Sequence, residues 1–312
     1  MAIKMLLSRS MRSYVITQLG VPARINEAWN LYLGHTRNVA ENVHILLDQA
    51  RRAEAKISLL RGEPVTDLKM LEVGPGQQLM QLAYFGARNE VVGIDLDVIA
   101  QNMNASECIR MARKNGWVRT SKTLARKIAG IDAKVRKELL RQLCLRTLPS
   151  FRVLQMNAEK MQFPNEHFDV VFSRAVFEHL PDPGAVTSEI RRVLKPGGVM
   201  FLAIHLFSSD SGCHDTRIFI GEREDLPFWA HLRPEHEKKV RSNSYLNKLG
   251  LADWQKLFAS KMPDSEVVSL YDAGNTERQE LHRLREQGEL SGYSDEELLS
   301  VTVEASWRKP LK

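Results

Sequence analysis

Two acidic residues and two glycines have the types and spacing that suit an adenosine-containing ligand. Glu72 precedes Gly74-Pro75-Gly76 after an apolar run, and Asp95 ends the next apolar run nineteen residues beyond Gly76. Glycine lets the backbone turn sharply and approach a ligand without a Cβ in the way. A carboxylate at the next strand end accepts hydrogen bonds from both ribose hydroxyls. The pattern therefore predicts a nucleoside site.

Several interpretations compete for these residues. A nicotinamide dinucleotide site favours G-x-G-x-x-G, whose third glycine would fall where Leu79 stands. A P-loop needs Lys followed by Ser or Thr after the glycines, and that pair is missing here. The remaining alternative is a tight turn without a ligand. Because Glu72 lies beside the glycines, a cationic amino group or sulfonium suits the loop better than a pyrophosphate does.

Two histidines at strand ends are candidates for proton transfer. His179 lies in the Phe-Glu-His-Leu stretch 177–180, just past one apolar run, and His205 ends the next run. Imidazole accepts a proton near neutral pH, so either residue suits a general base that deprotonates a hydroxyl acceptor.

No metal site is predicted from the remaining histidines or from the cysteines. His214, His231 and His236 lack the i,i+4 spacing of metal-binding helices, and Pro234 favours a loop between the last two. The three cysteines are far apart and form no C-x-x-C pair. We therefore expect a protein without a metal cofactor.

Short apolar runs that alternate with helical patterns must position these residues. Five strands are predicted, at Leu68–Val73, Val91–Ile94, Arg152–Met156, Phe168–Phe172 and Val199–Ile204. Helical patterns lie between them, for example Ala185–Leu194, and residues 25–61 read as an earlier helix. This alternation is typical of a doubly wound, mostly parallel α/β sheet buried on both faces. Open sheets bind ligands at the carboxyl ends of their strands, where all the candidates fall.

The domain organisation follows from where the chain departs from a minimal α/β unit. We expect a single domain over residues 1–312, since no repeat or low-complexity linker divides it. Its parts are a helical N-terminal region (1–64), a cofactor-binding core (65–100 and 151–205), a basic helical insertion (101–150), an acceptor-side insertion (206–250), and a C-terminal helix with edge strands (251–312).

The net charge of +6 is concentrated in one segment, because residues 105–152 hold thirteen Lys and Arg against three acids. Apolar side chains recur there every three or four residues, which predicts a single basic amphipathic helix. They are Leu124, Ile128, Ile131, Val135, Leu139 and Leu143. The charges either face water or attract an anionic acceptor, a membrane surface or nucleic acid. Nucleic acid ranks last, since no aromatic platform is interleaved with the charges.

The chain resembles class I (Rossmann-like) S-adenosylmethionine-dependent methyltransferases in five segments, L-E-V-G-P-G, G-I-D, N-A-E, F-D-V-V-F-S-R-A-V-F-E-H-L-P-D-P and R-R-V-L-K-P-G-G. The resemblance runs from about Leu68 to Ile204, interrupted by the basic insertion. It implies a seven-stranded sheet whose last two strands, here Glu266–Tyr271 and Ser300–Trp307, form a hairpin-like edge. It also implies S-adenosyl-L-methionine as the cofactor.

The resemblance assigns roles to individual residues. Glu72, Gly74 and Gly76 would face the methionine part of the cofactor, Asp95 would hold the ribose, Leu96 would pack on adenine, Asn157 with the Ala158 amide would read the adenine edge, and Ser173 would lie near the methionine tail. Gln78 stands where a third glycine is frequent, and Asn157 where aspartate is frequent; its carbonyl oxygen still accepts a hydrogen bond. The Glu-His-Leu stretch is widespread among these enzymes, so an architectural role is the alternative for His179.

The sequence therefore predicts an enzyme that methylates a small-molecule or saccharide acceptor, at oxygen. The alternatives are a lipid-linked or nucleic-acid acceptor, and a non-catalytic S-adenosylmethionine-binding partner protein. We expect a cytoplasmic protein, since no apolar run approaches the roughly 18 residues that cross a bilayer and the basic N-terminus lacks a signal-peptide core. Peripheral membrane contact through the basic helix stays open, and the sequence does not predict an oligomeric state.

Overall fold

A seven-stranded sheet forms the centre of the computed structural model, which describes residues 38–99, 104–223 and 225–311. Its strand order is β3-β2-β1-β4-β5-β7-β6, and β7 runs antiparallel to the other six strands. The strands are β1 (Lys69–Val73), β2 (Glu90–Asp95), β3 (Arg152–Gln155), β4 (Phe168–Arg174), β5 (Leu194–His205), β6 (Glu266–Ser269) and β7 (Thr302–Arg308). The predicted α/β class, the mostly parallel sheet and its antiparallel edge are confirmed.

Helices flank this sheet along the described ranges. They are α1 (Val39–Arg61), α2 (Met80–Gly86), α3 (Ala105–Asn115), α4 (Trp117–Ile128), α5 (Ile131–Gln142), α6 (Pro183–Val193), α7 (Thr216–Ile220), α8 (Leu251–Lys261), α9 (Asn275–Glu286) and α10 (Asp295–Leu299). Among these helices, none combines the length and the apolar character that crossing a membrane requires. The predicted N-terminal helix is seen from Val39 onward, and the part of that prediction before residue 38 lies outside the described residues.

The central strands β1, β2, β4 and β5 bury both of their faces. On one face Val171 and Met200 pack with the aromatic side chains of α8, and on the other Val170 and Phe201 pack with α1 and α2. Because neither face meets water, the strands read as nearly continuous apolar runs, which is why the sequence located them well.

The basic insertion is broken where a single continuous helix was predicted, and that prediction is wrong. Gly130 adopts a left-handed φ of 70° between α4 and α5 and changes the direction of the chain. Val135 and Leu139 of α5 pack with the core around α1, whereas Leu124 of α4 packs against a separate small cluster. The apolar spacing continues across the break, and the glycine was the available signal that the helix ends.

The charged side chains of the insertion occupy two environments. Arg126 is 9% exposed and its Nε lies 2.6 Å from Asp132 Oδ1, so it is not part of a solvated face. Lys134 and Lys137 on α5 are exposed, as the amphipathic pattern predicts.

The acceptor-side insertion, residues 206–250, is organised by two buried aspartates. Asp210 accepts two hydrogen bonds from Arg223, at 2.7 and 3.2 Å, and Asp215 pairs with Arg217 at 2.7 Å. The two carboxylates are 4% and 0% exposed. Buried charges that are paired in this way hold their surroundings in one arrangement, since breaking one pair leaves an uncompensated charge.

Leu139→Ala should destabilise the protein by about 2–5 kcal/mol, because it empties a site that is 2% exposed in the core shared with α1. Ile128→Ala is the matched control, since its side chain is 77% exposed. It should change stability by no more than about 0.5 kcal/mol. Urea unfolding followed by circular dichroism measures both. Equal unfolding midpoints for the two variants would show that the insertion does not pack on α1.

Candidate active site

The loop after β1 turns through two glycines. Gly74 has a φ of 73° and Gly76 a φ of 64°, both in the left-handed region that glycine adopts without steric cost. A Cβ on Gly74 would lie 2.4 Å from the Val176 side chain, so close approach also demands glycine there. The same contact joins this loop to the turn that follows β4.

Two carboxylates lie beside the glycine loop. Glu72 is 3% exposed, and its Oε2 has no hydrogen-bond partner within the described residues. Burial, with a smaller contribution from the Asp95 charge, raises the pKa of Glu72 to about 8. Asp95 at the end of β2 is only partly buried, and its Oδ1 accepts the Asp97 amide at 2.8 Å. A buried carboxyl with one unpartnered oxygen fits a ligand that carries a cationic amino or sulfonium group.

The residues predicted for the adenine end follow β2 and β3. Leu96 is 49% exposed, so its side chain is accessible to cover a ring. Asn157 is exposed, and its Oδ1 accepts the Glu159 amide at 2.9 Å, with a second lone pair remaining for another donor. Ala158 is buried beside it.

Ser173 has a structural contact that the sequence did not foretell. Its hydroxyl donates to the Val73 carbonyl at 2.7 Å, and the side chain is 2% exposed. The bond ties β4 to β1 where the glycine loop begins, so Ser173 supports the loop and its proton is already committed.

The candidate catalytic histidines lie in one cluster with a third histidine. The ring of His214 lies 4.6 Å from that of His205 and 4.8 Å from that of His179, measured between centroids. The Glu178 carboxylate joins them, with Oε1 3.9 Å from His179 Nε2. We call Glu178, His179, His205 and His214 the histidine cluster.

From the sequence, His214 is considered together with His231 and His236, whereas the structure groups it with His179 and His205. His231 contacts the Phe207 carbonyl at 2.7 Å and His236 lies 3.7 Å from Glu235, so neither joins His214. The signal that could have found the cluster is the adjacency of β4 and β5. It brings the residues after β4 next to His205, and the loop after β5 then returns with His214.

The acceptor-side insertion holds the turn after β4. The His179 Nδ1–H donates to the Tyr245 carbonyl at 2.8 Å, which leaves Nε2 with its lone pair. The Asn247 side chain donates to the carbonyls of Phe177 and Leu180, at 2.8 and 3.1 Å. The insertion is thereby fastened across the ends of β4 and β5.

Burial keeps the histidine cluster uncharged near neutral pH. Loss of hydration lowers the pKa of His205 to about 4 and that of His214 to about 2, and it lowers the pKa of His179 as well. It raises the pKa of Glu178 to about 8; the backbone amides of Glu178 and His205 oppose this shift without reaching hydrogen-bond geometry. The cluster therefore offers neutral imidazole nitrogens in a dry environment.

Comparison with known proteins finds a family model that matches part of the sheet. A family model described as a methyltransferase domain matches residues 115–202, which include β3, β4 and most of β5. The glycine loop and Asp95 precede the matched range.

Individual relatives match shorter parts of the chain. A phosphatidylethanolamine N-methyltransferase of Cereibacter sphaeroides is 36% identical over 64 residues, 20% of this chain and 31% of the relative. A sterol 24-C-methyltransferase of Gibberella zeae is 46% identical over 48 residues, 15% of this chain and 13% of the relative. The chain thus spans about a third or less of the length of these curated relatives. The solved structure of YcgJ from Bacillus subtilis aligns with a TM-score of 0.38 and 17% identity over 79% of this chain and 94% of that one.

The family match identifies a methyltransferase domain over residues 115–202, and S-adenosylmethionine is the cofactor of such a domain. The unpartnered Glu72 oxygen and the glycine turn fit that ligand. Its sulfonium and amino groups would give the buried carboxylate the cationic partner that it lacks.

S-adenosylmethionine should bind about 25-fold more tightly at pH 7.5 than at pH 6, since the ionised fraction of a carboxyl with a pKa of about 8 rises by that factor over this interval. Binding weakens as pH falls because protonation removes the charge that attracts the ligand. Glu72→Gln should bind weakly and lose this pH dependence. Glu90→Gln removes an exposed carboxylate at the far end of β2 and should behave as wild type. Titration calorimetry at the two pH values measures the dissociation constants. An affinity of Glu72→Gln that depends on pH as the wild type does would contradict the role of Glu72 in cofactor binding.

Proposed function

We propose that this chain uses its methyltransferase domain to transfer the methyl group of S-adenosylmethionine to an oxygen of a small-molecule or saccharide acceptor. The observation that carries this proposal is the histidine cluster beside the glycine loop. Val176 touches Gly74, and Glu178 and His179 follow it directly in the turn. An acceptor held over the ends of β4 and β5 would lie between the cofactor and neutral imidazoles.

The proposed chemistry needs little beyond position and a base. The bound cofactor supplies an activated methyl carbon whose sulfur leaves as a thioether. The strand ends and the 206–250 insertion would orient the acceptor oxygen in line with that carbon. His179 is the better placed base, because its Nδ1–H is fixed on Tyr245 and Nε2 is free to accept the hydroxyl proton as the new O–C bond forms. His205 is the second candidate, with Nε2 2.8 Å from Ser211 Oγ.

The proposed cofactor contacts follow the order of the strands. The methionine end would meet Glu72, Gly74 and Gly76, with Ser173 supporting the loop. The ribose would meet Asp95, and the adenine would lie among Leu96, Asn157 and Ala158. A cytoplasmic location and the single-domain organisation stay predictions from the sequence.

A membrane-lipid acceptor is the second candidate, and one surface favours it. Ile109, Trp117 and Ile128 of the basic insertion are 54%, 80% and 77% exposed. Exposed apolar side chains among lysines and arginines favour contact with an anionic bilayer. Two of the relatives above are named for lipid and sterol methylation, which supports including lipids among the acceptors tested.

Transfer of labelled methyl from S-adenosylmethionine to a panel of acceptors tests the proposal. The panel contains catechol, free saccharides, primary amines and phosphatidylethanolamine vesicles, and we expect label in the hydroxyl compounds. Label confined to the vesicles would favour the lipid candidate, and label confined to amines would contradict methylation at oxygen.

His179→Gln should lower kcat about 10²–10⁴-fold with a hydroxyl acceptor and leave the affinity for S-adenosylmethionine unchanged. His282→Gln is the matched control, since that side chain is 78% exposed on α9. Steady-state kinetics with varied acceptor and varied cofactor separates the two effects. Wild-type kcat in His179→Gln would exclude this residue as the base.

A further inference from the structure

Three side chains of the histidine cluster converge on one point. Glu178, His205 and His214 each offer one ligand atom, and these atoms all lie within 4.8 Å of one another. We propose that they bind a divalent transition-metal ion of the Zn²⁺ class. Two imidazole nitrogens and one carboxylate oxygen form a donor set that suits zinc and its first-row neighbours, whereas Mg²⁺ and Ca²⁺ prefer oxygen alone.

Buried atoms at this point lack hydrogen-bond partners among the residues that the structure describes. Glu178 is 3% exposed, and neither of its carboxylate oxygens has a hydrogen-bond partner in the described ranges. His214 is 9% exposed, and its Nε2 is equally unpartnered there. Buried polar atoms are normally hydrogen-bonded, and each exception calls for a physical reason. An ion at the point of convergence would give Glu178 and His214 a partner at once.

The surroundings of these side chains resemble those that orient metal ligands. His205 Nε2 lies 2.8 Å from Ser211 Oγ, so one ring nitrogen is anchored and the other is left as the electron-pair donor. The backbone of His214 is fastened on both sides, since its amide donates to the Ser211 carbonyl at 3.0 Å and its carbonyl accepts the Asn243 amide at 3.1 Å. The ion-paired Asp215 follows directly. The site is therefore held by the acceptor-side insertion.

Binding of the ion requires only a small closure. Ligand atoms about 2.0–2.2 Å from zinc lie roughly 3.4 Å apart in a tetrahedral site. The spread of 4.8 Å between the donor atoms therefore has to contract by a little over an ångström. Rotation of the Glu178 carboxyl and of one imidazole ring provides motion on that scale.

Three protein ligands leave a coordination position open, as in catalytic zinc sites. An acceptor oxygen bound there would be acidified and held in place beside His179, whose Nε2 lies 3.9 Å from Glu178. This role rests on the proposed methyl transfer, whereas ion binding itself does not. His205 would then act as a ligand, and His179 would remain the base.

Metal binding is tested on the full-length protein after removal of bound metal with a chelator. Titration with Zn²⁺ in a calorimeter should give one site per chain with a dissociation constant in the micromolar range or below, and Mg²⁺ should give no heat. Co²⁺ should produce visible d–d absorption bands of a low-coordinate nitrogen and oxygen site. Absence of Zn²⁺ binding and of the Co²⁺ bands would overturn the proposal.

Variants locate the site. Glu178→Gln keeps the shape of the side chain. This variant and His214→Ala should each weaken Zn²⁺ binding at least tenfold, whereas His282→Ala on the exposed face of α9 should not. Circular dichroism and S-adenosylhomocysteine binding on the same samples report whether each variant is folded. Unchanged Zn²⁺ affinity in both cluster variants would overturn the site even if the cofactor binds. Failure of the wild type to bind the cofactor, with Zn²⁺ still bound, would count against the proposed function alone.

Discussion

The parallel register of β2, β1, β4 and β5 is the constraint on which the rest of the structure depends. Val73 lies opposite Ile94 on one side and Ser173 on the other, and Ser173 lies opposite Leu202. Because all four strands point the same way, the groups that follow them emerge at one edge of the sheet. The glycine loop, the acid on β2 and the histidines therefore share a single face although more than a hundred residues separate them in the chain.

Two buried acids mark the two halves of this face. Glu72 lies at the glycine loop and Glu178 lies in the histidine cluster, and burial raises the pKa of each to about 8. A carboxyl kept out of water without a partner is stable only when it is neutral or when a cation arrives. We propose that a cation completes each half, the sulfonium or amino group of the cofactor at Glu72 and a metal ion at Glu178. The Gly74–Val176 contact couples them, since Val176 begins the turn that carries Glu178.

Much of this arrangement was predictable from the sequence, and the limits have physical causes. The positions of the strands and of the polar residues at their ends followed from local signals. Buried parallel strands are short apolar runs, and Asp95 and His205 end two of them. The prediction of a single basic helix was wrong because Leu124 and Val135 keep helical spacing across Gly130. Periodicity alone therefore gave no sign that the helix ends there. The histidine cluster was only partly predicted. Its members come from three segments, and the path of the loop that brings His214 back to His205 depends on the buried Asp210 and Asp215 pairs, which leave no local pattern.

The most direct test is a crystal structure of the protein with S-adenosylhomocysteine bound. We expect both ribose hydroxyls to lie about 3 Å from the Asp95 carboxylate and the amino group to lie beside Glu72. The sulfur should point toward the ends of β4 and β5, where His179 and His205 lie. A ligand bound elsewhere, or one whose sulfur faces away from the histidine cluster, would contradict it.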